Sequence, residues 1–159
     1  MKNLSRNLVR ASSRSRTICA LVALFLGAGQ LVAAQERSYI DSSSPGGNGS
    51  PFSGAVMTDD TLYISGMLGL KNGEVPAEVD DEARNVLDAI KATLEAAGMT
   101  MDDLVYVQIF CSDVSHYASF NEVYRTYFTQ EFPARAFVGA GTLLFDARFE
   151  IQAIAVKRP

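Results

Sequence analysis

The last strand-like run of the chain, residues 149–156, constrains the fold most, because its side chains alternate between two faces. One set is Phe149, Ile151, Ala153 and Ala155, and the other is Glu150, Gln152, Ile154 and Val156. Alternation with period two is typical of a strand that has one face in a hydrophobic core. The run therefore predicts a sheet, and it places Glu150 on the face opposite Phe149.

A second apolar run, residues 132–138, also carries one charge where a charge is costly. Pro133 fixes the start of this run, and Arg135 follows two residues later. If the two runs lie side by side, the guanidinium and the Glu150 carboxylate could face a common cavity. A guanidinium binds carboxylates through paired hydrogen bonds, and a carboxylate in a partly dry site can move protons. This combination suits a small acid that is hydrolysed at its other end.

The segments before these runs predict a β-β-α-β-α-β-β order. Residues 55–66 read as a hairpin, and 79–97 as an amphipathic helix that ends at Gly98. Residues 104–111 are apolar on both faces, which indicates a central strand. An aromatic stripe then predicts a second helix, with Asp113 or Ser115 as its cap. We expect an α+β two-layer sandwich, a mixed sheet with two helices on one face.

The face of this sheet that the helices leave bare would still carry apolar side chains. Large apolar patches are uncommon on monomeric proteins. We therefore expect a homo-oligomer in which the bare faces of the copies close against one another.

The first 34 residues have the pattern of a secretory signal peptide. Four arginines precede an apolar run, 18–28, that is too short to span a bilayer, and small residues precede Gln35. We expect cleavage after Ala34 and export to the periplasm or the medium, with no membrane attachment afterwards; an uncleaved anchor is the alternative. Residues 35–50, rich in Ser and Gly, are predicted to be a flexible linker, and 51–159 to be the folded domain.

Charge and cysteine content exclude several classes of function. Residues 1–34 contain five basic residues and no acid, so the rest has 9 basic and 18 acidic side chains and a formal charge of −9. Such a chain is a poor partner for nucleic acid, which needs a basic face. Cys111 alone remains, and we expect a buried thiol rather than a nucleophile. His116 is the only histidine, and no metal site is predicted.

Several motifs, in order along residues 51–158, resemble the Rid family, also called the YjgF-like family. They are Pro51-Phe52-Ser53-Gly54-Ala55-Val56, Ile64-Ser65-Gly66, Gly73-Glu74-Val75-Pro76, Glu95-Ala96-Ala97-Gly98, Phe120-Asn121-Glu122-Val123-Tyr124, Phe132-Pro133-Ala134-Arg135 and Glu150-Ile151-Gln152-Ala153. The resemblance implies a chorismate-mutase-like fold, a homotrimer with a cleft at each subunit interface, and no cofactor. It also implies hydrolysis of 2-iminobutanoate and 2-iminopropanoate to 2-keto acids and ammonia.

The resemblance assigns roles to residues of this chain. It implies that Arg135 binds the substrate carboxylate and that Glu150 assists the attacking water. Ser65 and Gly66 would belong to the cleft, as would Asn121 of the second helix.

The chain also departs from the family pattern. Phe52 stands where a tyrosine is usual, Phe137 where a cysteine is usual, and Gln152 where a second glutamate is usual. We expect Phe52 and Phe137 to line the cleft and to alter its shape.

Two alternatives remain open at this stage. Arg135 and Glu150 could form an ion pair that locks the subunit interface instead of a site. The protein could also be a trimer that binds small carboxylates without converting them.

Overall fold

The computed structural model describes residues 36–41 and 49–158. In these residues six strands and two α-helices follow in the order β1 (Arg37–Ile40), β2 (Ala55–Thr58), β3 (Thr61–Leu68), α1 (Val79–Ala96), β4 (Leu104–Cys111), α2 (Tyr117–Arg125), β5 (Ala134–Gly139) and β6 (Phe149–Val156). The predicted signal peptide and residues 42–48 of the predicted linker lie outside the described residues.

The six strands form one mixed sheet in the order β1-β2-β3-β6-β4-β5. Neighbouring strands are antiparallel except β4 and β5, which run parallel. Strand β4 is an interior strand, as its two apolar faces predict. Both helices pack on one face of the sheet, so the predicted α+β sandwich is confirmed.

Helix α1 forms because its apolar residues recur every three or four positions. Val86, Leu87, Ile90 and Leu94 are almost completely buried against the sheet. Three acidic residues in its first turn stabilise the helix, because they interact with the positive end of the helix dipole. The helix ends where predicted, since Gly98 adopts a φ of 70° that suits a residue without a side chain.

The aromatic stripe of α2 lies partly in the core. Phe120 and Tyr124 are buried, and the Phe120 ring lies 4.8 Å from the ring of Phe149 on β6. Tyr117 is half exposed. Before the helix, the Asp113 carboxylate accepts a hydrogen bond of 2.8 Å from the Ser115 amide and caps a short 3-10 turn, residues 114–116. Helix α2 itself begins after His116 without a side-chain cap, so the prediction that Asp113 or Ser115 caps it was wrong.

Strand β1 is a difference from the sequence prediction, which assigned all of 35–50 to a flexible linker. Arg37–Ile40 instead pair antiparallel with β2, with Tyr39 opposite Val56. Four residues are too few to show a period, and an edge strand of this length takes its stability from its neighbour rather than from its own sequence.

The face of the sheet away from the helices, called the open face below, carries Tyr63, Tyr106, Gln108, Glu150 and Gln152. These residues alternate with the buried ones of β3, β4 and β6. Tyr63 is 49% exposed and lies beside a cavity of about 350 Å³. The homo-oligomer predicted to cover this face stays a prediction.

Neither helix in the described part of the chain is long and apolar enough to cross a membrane.

Candidate functional site

Arg135 lies on the helix face of the sheet, near its β5 edge. Its partner in the register of β4 is Val107, which is buried, so the two side chains share a face. The Arg135 Nη1 atom donates a hydrogen bond of 2.7 Å to Oδ1 of Asn121 on α2. The sequence assigned both residues to one site, and the structure brings them together.

Aromatic rings hold the Arg135 guanidinium on its other sides. Its Cζ atom lies 4.8 Å from the centre of the Tyr124 ring, 5.8 Å from that of Tyr117 and 6.0 Å from that of Phe137. These distances fall within the range of cation–π attraction. Among the described residues no carboxylate pairs with Arg135. The side chain is therefore fixed in place while its charge stays available to an anion.

A cavity of about 180 Å³ lies beside this guanidinium. We call it the arginine cavity. The residues that line it are Asn121, Tyr124, Arg125, Phe132, Pro133 and Arg135. Its wall thus combines aromatic rings, an amide and two guanidinium groups, and it contains no acid. This composition fits a small anion, because positively charged hydrogen-bond donors line one partly open cavity.

Phe137 does not line the arginine cavity, although the sequence placed it in the substrate site. Its ring stands edge-on to Tyr117 at 5.0 Å and to Phe120 at 5.6 Å. The Phe137 side chain, which is larger than the cysteine usual at this position, is therefore packed among aromatic neighbours on the helix face. Its ring also contacts the Arg135 guanidinium.

Glu150 lies on the open face of the sheet, as the alternation of β6 predicts. It is half-buried, and its register partners are Phe110 on β4 and Leu68 on β3. Its carboxylate sits directly over Gly66. A β-carbon added to Gly66 would overlap Oε1 of Glu150 and come within 3.1 Å of its Cδ. Gly66 is therefore the residue that makes room for this carboxylate.

The Gly66→Ala variant should displace the Glu150 carboxylate with little effect on the fold. The clash falls on the end of a flexible side chain, so we expect the free energy of unfolding to change by about 1 kcal/mol or less. Any activity that depends on Glu150 should fall at least about tenfold, because geometry errors near 1 Å cost that much or more. Urea denaturation checks the small change in stability, and turnover measured on the same sample checks the loss of activity. A large loss of stability with normal turnover per folded molecule would contradict this assignment.

Ser65 precedes Gly66 in a β-bulge of β3. The register of β3 shifts between Ile64 and Met67, so that Ser65 and Gly66 together oppose one residue of β6. The Ser65 hydroxyl donates a hydrogen bond of 2.7 Å to the Ser53 carbonyl, which ties the bulge to the segment before β2. Phe52, next to Ser53 in sequence, is 58% exposed.

The expected common cavity of Arg135 and Glu150 does not exist within one chain. Strand β4 separates β5 from β6, so the two C-terminal runs do not pair. Arg135 lies on the helix face and Glu150 on the open face, and no ion pair joins them. The expectation was wrong because β5 runs parallel to β4 and takes a register that aligns Arg135 with a buried residue.

Comparison with known proteins agrees with this architecture. The sequence model of the family described as Endoribonuclease L-PSP matches residues 45–157. The 2-iminobutanoate/2-iminopropanoate deaminase of Bos taurus is 40% identical over 112 residues, which cover 69% of this chain and 82% of that protein. The deaminase of the same name from Escherichia coli K12 is 39% identical over 113 residues, with 68% of this chain and 88% of that protein covered.

A solved structure, E. coli TdcF with bound serine, superposes with a TM-score of 0.68 at 33% identity. The match covers 76% of this chain and all of that one. The chain belongs to the Rid family. The resemblance found in its motifs is thereby confirmed, and so is the fold that the family implies.

One buried ion pair of this Rid domain was not predicted from the sequence. Glu82 on α1 is fully buried, and its Oε2 lies 2.7 Å from Nη1 of Arg148. Glu82 also accepts hydrogen bonds from the backbone amides of Arg148 and Phe149. A signal was present in the sequence, because Glu82 falls on the apolar stripe of α1 together with Val86 and Ile90.

Cys111 is fully buried, as predicted. Burial raises the pKa of its thiol, which donates a hydrogen bond to the Asp113 carbonyl. A thiol in this state is a poor nucleophile.

Proposed function

We propose that this Rid protein hydrolyses small 2-imino acids to 2-keto acids and ammonia. The observation that carries the proposal is the Arg135 guanidinium, which is fixed by Asn121 and by aromatic rings but has no acid partner among the described residues. The deaminases from cattle and E. coli, both about 40% identical, carry that activity in their names. The serine bound to TdcF also supports a site for a small carboxylate in this fold.

In the proposed reaction Arg135 binds the substrate carboxylate through two parallel hydrogen bonds. Asn121 and the Tyr124 ring restrict the guanidinium, so the imine carbon is held in one position. A water adds to the carbon of the protonated imine while Glu150 accepts one of the water's protons, which gives a carbinolamine. Glu150 then returns this proton to nitrogen, the C–N bond breaks to release ammonia, and the hydroxyl proton passes to solvent as the carbonyl forms. The protein contributes positioning and a proton shuttle.

We further propose that the complete site forms between two copies of the chain in a homotrimer. Arg135 and Glu150 face opposite sides of one sheet, so one copy supplies only half of the groups that the reaction needs. Association through the open face would also bury Tyr63 and the cavity beside it. Size-exclusion chromatography with light scattering gives the number of copies directly.

The family description as an endoribonuclease does not fit the charge of this chain. The formal charge of residues 35–159 is −9. Binding of RNA depends on contacts of basic side chains with phosphates, and two arginines of one small cavity do not make such a surface. Hydrolysis of a small anion is therefore the better proposal.

Imine hydrolysis is tested with an imine generated in the assay by a deaminating enzyme. We expect the purified protein to increase the initial rate of ammonia release well above the rate without it, and Arg135→Ala to reduce the increase at low substrate by about 10–100-fold. A rate equal to the background would reject the enzyme. If 2-oxobutanoate then still bound in an Arg135-dependent way, the non-catalytic carboxylate-binding alternative would hold.

Export stays a proposal as well. N-terminal sequencing of the secreted protein should show that it begins at Gln35.

A further inference from the structure

A second guanidinium lines the arginine cavity. Arg125, in the last turn of α2, contributes to the same wall as Arg135. Neither side chain forms an ion pair with a carboxylate in the described part of the chain. By contrast Arg84, Arg148 and Arg158 are paired with Asp81, Glu82 and Asp103 respectively. Two positive charges without acid partners thus face one cavity of about 180 Å³.

Arg125 is positioned by the aromatic cluster at the end of α2. Its Cζ lies 5.9 Å from the centre of the Phe132 ring, which also lines the arginine cavity. Phe132 in turn packs against Phe128 at 5.5 Å and Tyr124 at 6.2 Å. A basic residue in the last turn of a helix also interacts with the helix dipole, but that role does not require a cavity.

Tyr124 lines the same wall, and its ring holds the Arg135 guanidinium. Its hydroxyl is buried and has no hydrogen-bond partner among the described residues. Burial raises the pKa of Tyr124 to about 12, and the nearby Arg135 opposes this shift only in part. The phenol is therefore neutral at physiological pH and adds no negative charge beside the two guanidinium groups.

We propose that the arginine cavity selects acids with a second carboxylate, and that Arg125 is the specificity-determining residue. One carboxylate would lie on Arg135 and the distal one on Arg125. The substrates of the proposed deamination would then be short 2-imino dicarboxylic acids, and the products 2-keto dicarboxylic acids. A cavity of about 180 Å³ that is partly open to solvent suits a short acid. This inference rests on the proposed function and adds the class of substrate.

The test compares two keto acids that differ only at the distal end. 2-Oxoglutarate and 2-oxopentanoate both have five carbons, but only the first has a distal carboxylate. Their affinities are measured by calorimetry for the full chain, for Arg125→Gln and for Arg125→Lys. Arg84→Gln is the matched control, because it removes an equal charge from an exposed position on α1. One charge-assisted hydrogen bond at a partly exposed site predicts a preference of about tenfold for the dicarboxylate.

The proposal holds if the wild type shows this preference, Arg125→Gln reduces the affinity ratio towards one, and both Arg125→Lys and Arg84→Gln retain it. It is overturned, with the proposed function intact, if both acids bind the wild type equally or if Arg125→Gln leaves the ratio unchanged. If neither acid binds the wild type, the carboxylate site itself is rejected, and the proposed function and this inference are both wrong.

Discussion

The Glu82→Ala variant should lower the free energy of unfolding by about 3–5 kcal/mol, since it removes one partner of a buried ion pair. Glu82 is fully buried, while the Arg148 side chain is 25% exposed. Three donors converge on the carboxylate, namely the guanidinium of Arg148 and the backbone amides of Arg148 and Phe149. Truncation would leave all three without their acceptor in a site that water reaches poorly.

Urea denaturation at neutral pH measures this effect, and α1 offers a matched control. Asp81→Ala removes an acid from the adjacent position, where both partners of the Asp81–Arg84 pair are more than half exposed. We expect a change below about 1 kcal/mol for this control. Glu82→Gln keeps a hydrogen-bond acceptor and should fall between the two. Equal losses for Glu82→Ala and Asp81→Ala would show that the buried pair contributes little.

The same pair connects the core to the candidate site. The Arg148 guanidinium also donates to the carbonyls of Pro76 and Ala77, so it joins the segment before α1 to the start of β6. Glu150 follows two residues later. We therefore expect Glu82 variants that still fold to show lower turnover, because the register of β6 determines where the Glu150 carboxylate lies over Gly66.

Periodic features of the sequence predicted most of the fold. The apolar spacing of α1, the glycine at its end and the strict alternation of β6 are local patterns, and the structure has each of them. Strand β1 was missed because Arg37–Ile40 form a strand by pairing with β2. A sequence of four residues is too short to predict that pairing.

Side-chain directions could be predicted from the sequence only along one strand at a time. The alternation placed Glu150 opposite Phe149 correctly. It could not show that β4 separates Arg135 from Glu150, because strand order depends on how the helices cross the sheet. Phe137 was assigned to the cleft from the family resemblance, because it stands where a cysteine is usual. Its direction is decided by Tyr117 and Phe120 of a separate element. Arg125 gave no signal, since one basic residue at a helix end is ordinary.

The Glu150→Gln variant should lower kcat for imine hydrolysis by about 10²–10⁴-fold, the usual contribution of a general acid or base. Arg135→Ala should mainly lower kcat/KM, by about 10–100-fold, because it removes a charge-assisted contact with the substrate. Steady-state kinetics with an imine generated in the assay separates the two patterns. Gln152→Ala, on the same face of β6 as Glu150, is the control for a change on that face. An equal loss in this control would mean that packing of the open face, not the carboxylate, limits turnover.

Mixing Arg135→Ala with Glu150→Gln should restore activity, at low substrate, to a level well above that of either variant alone. Each copy contributes Arg135 from the helix face and Glu150 from the open face, so a site built between neighbours needs one intact residue from each of two copies. After the variants are unfolded together and refolded at equal amounts, random assembly gives both intact residues at about a quarter of the sites. The rate at low substrate should therefore return to about that fraction of the wild-type value, while a mixture assayed before subunits exchange keeps the low rate of the separate variants. If the refolded mixture also keeps that low rate although light scattering shows mixed oligomers, Arg135 and Glu150 do not act together across an interface, and the proposed mechanism fails.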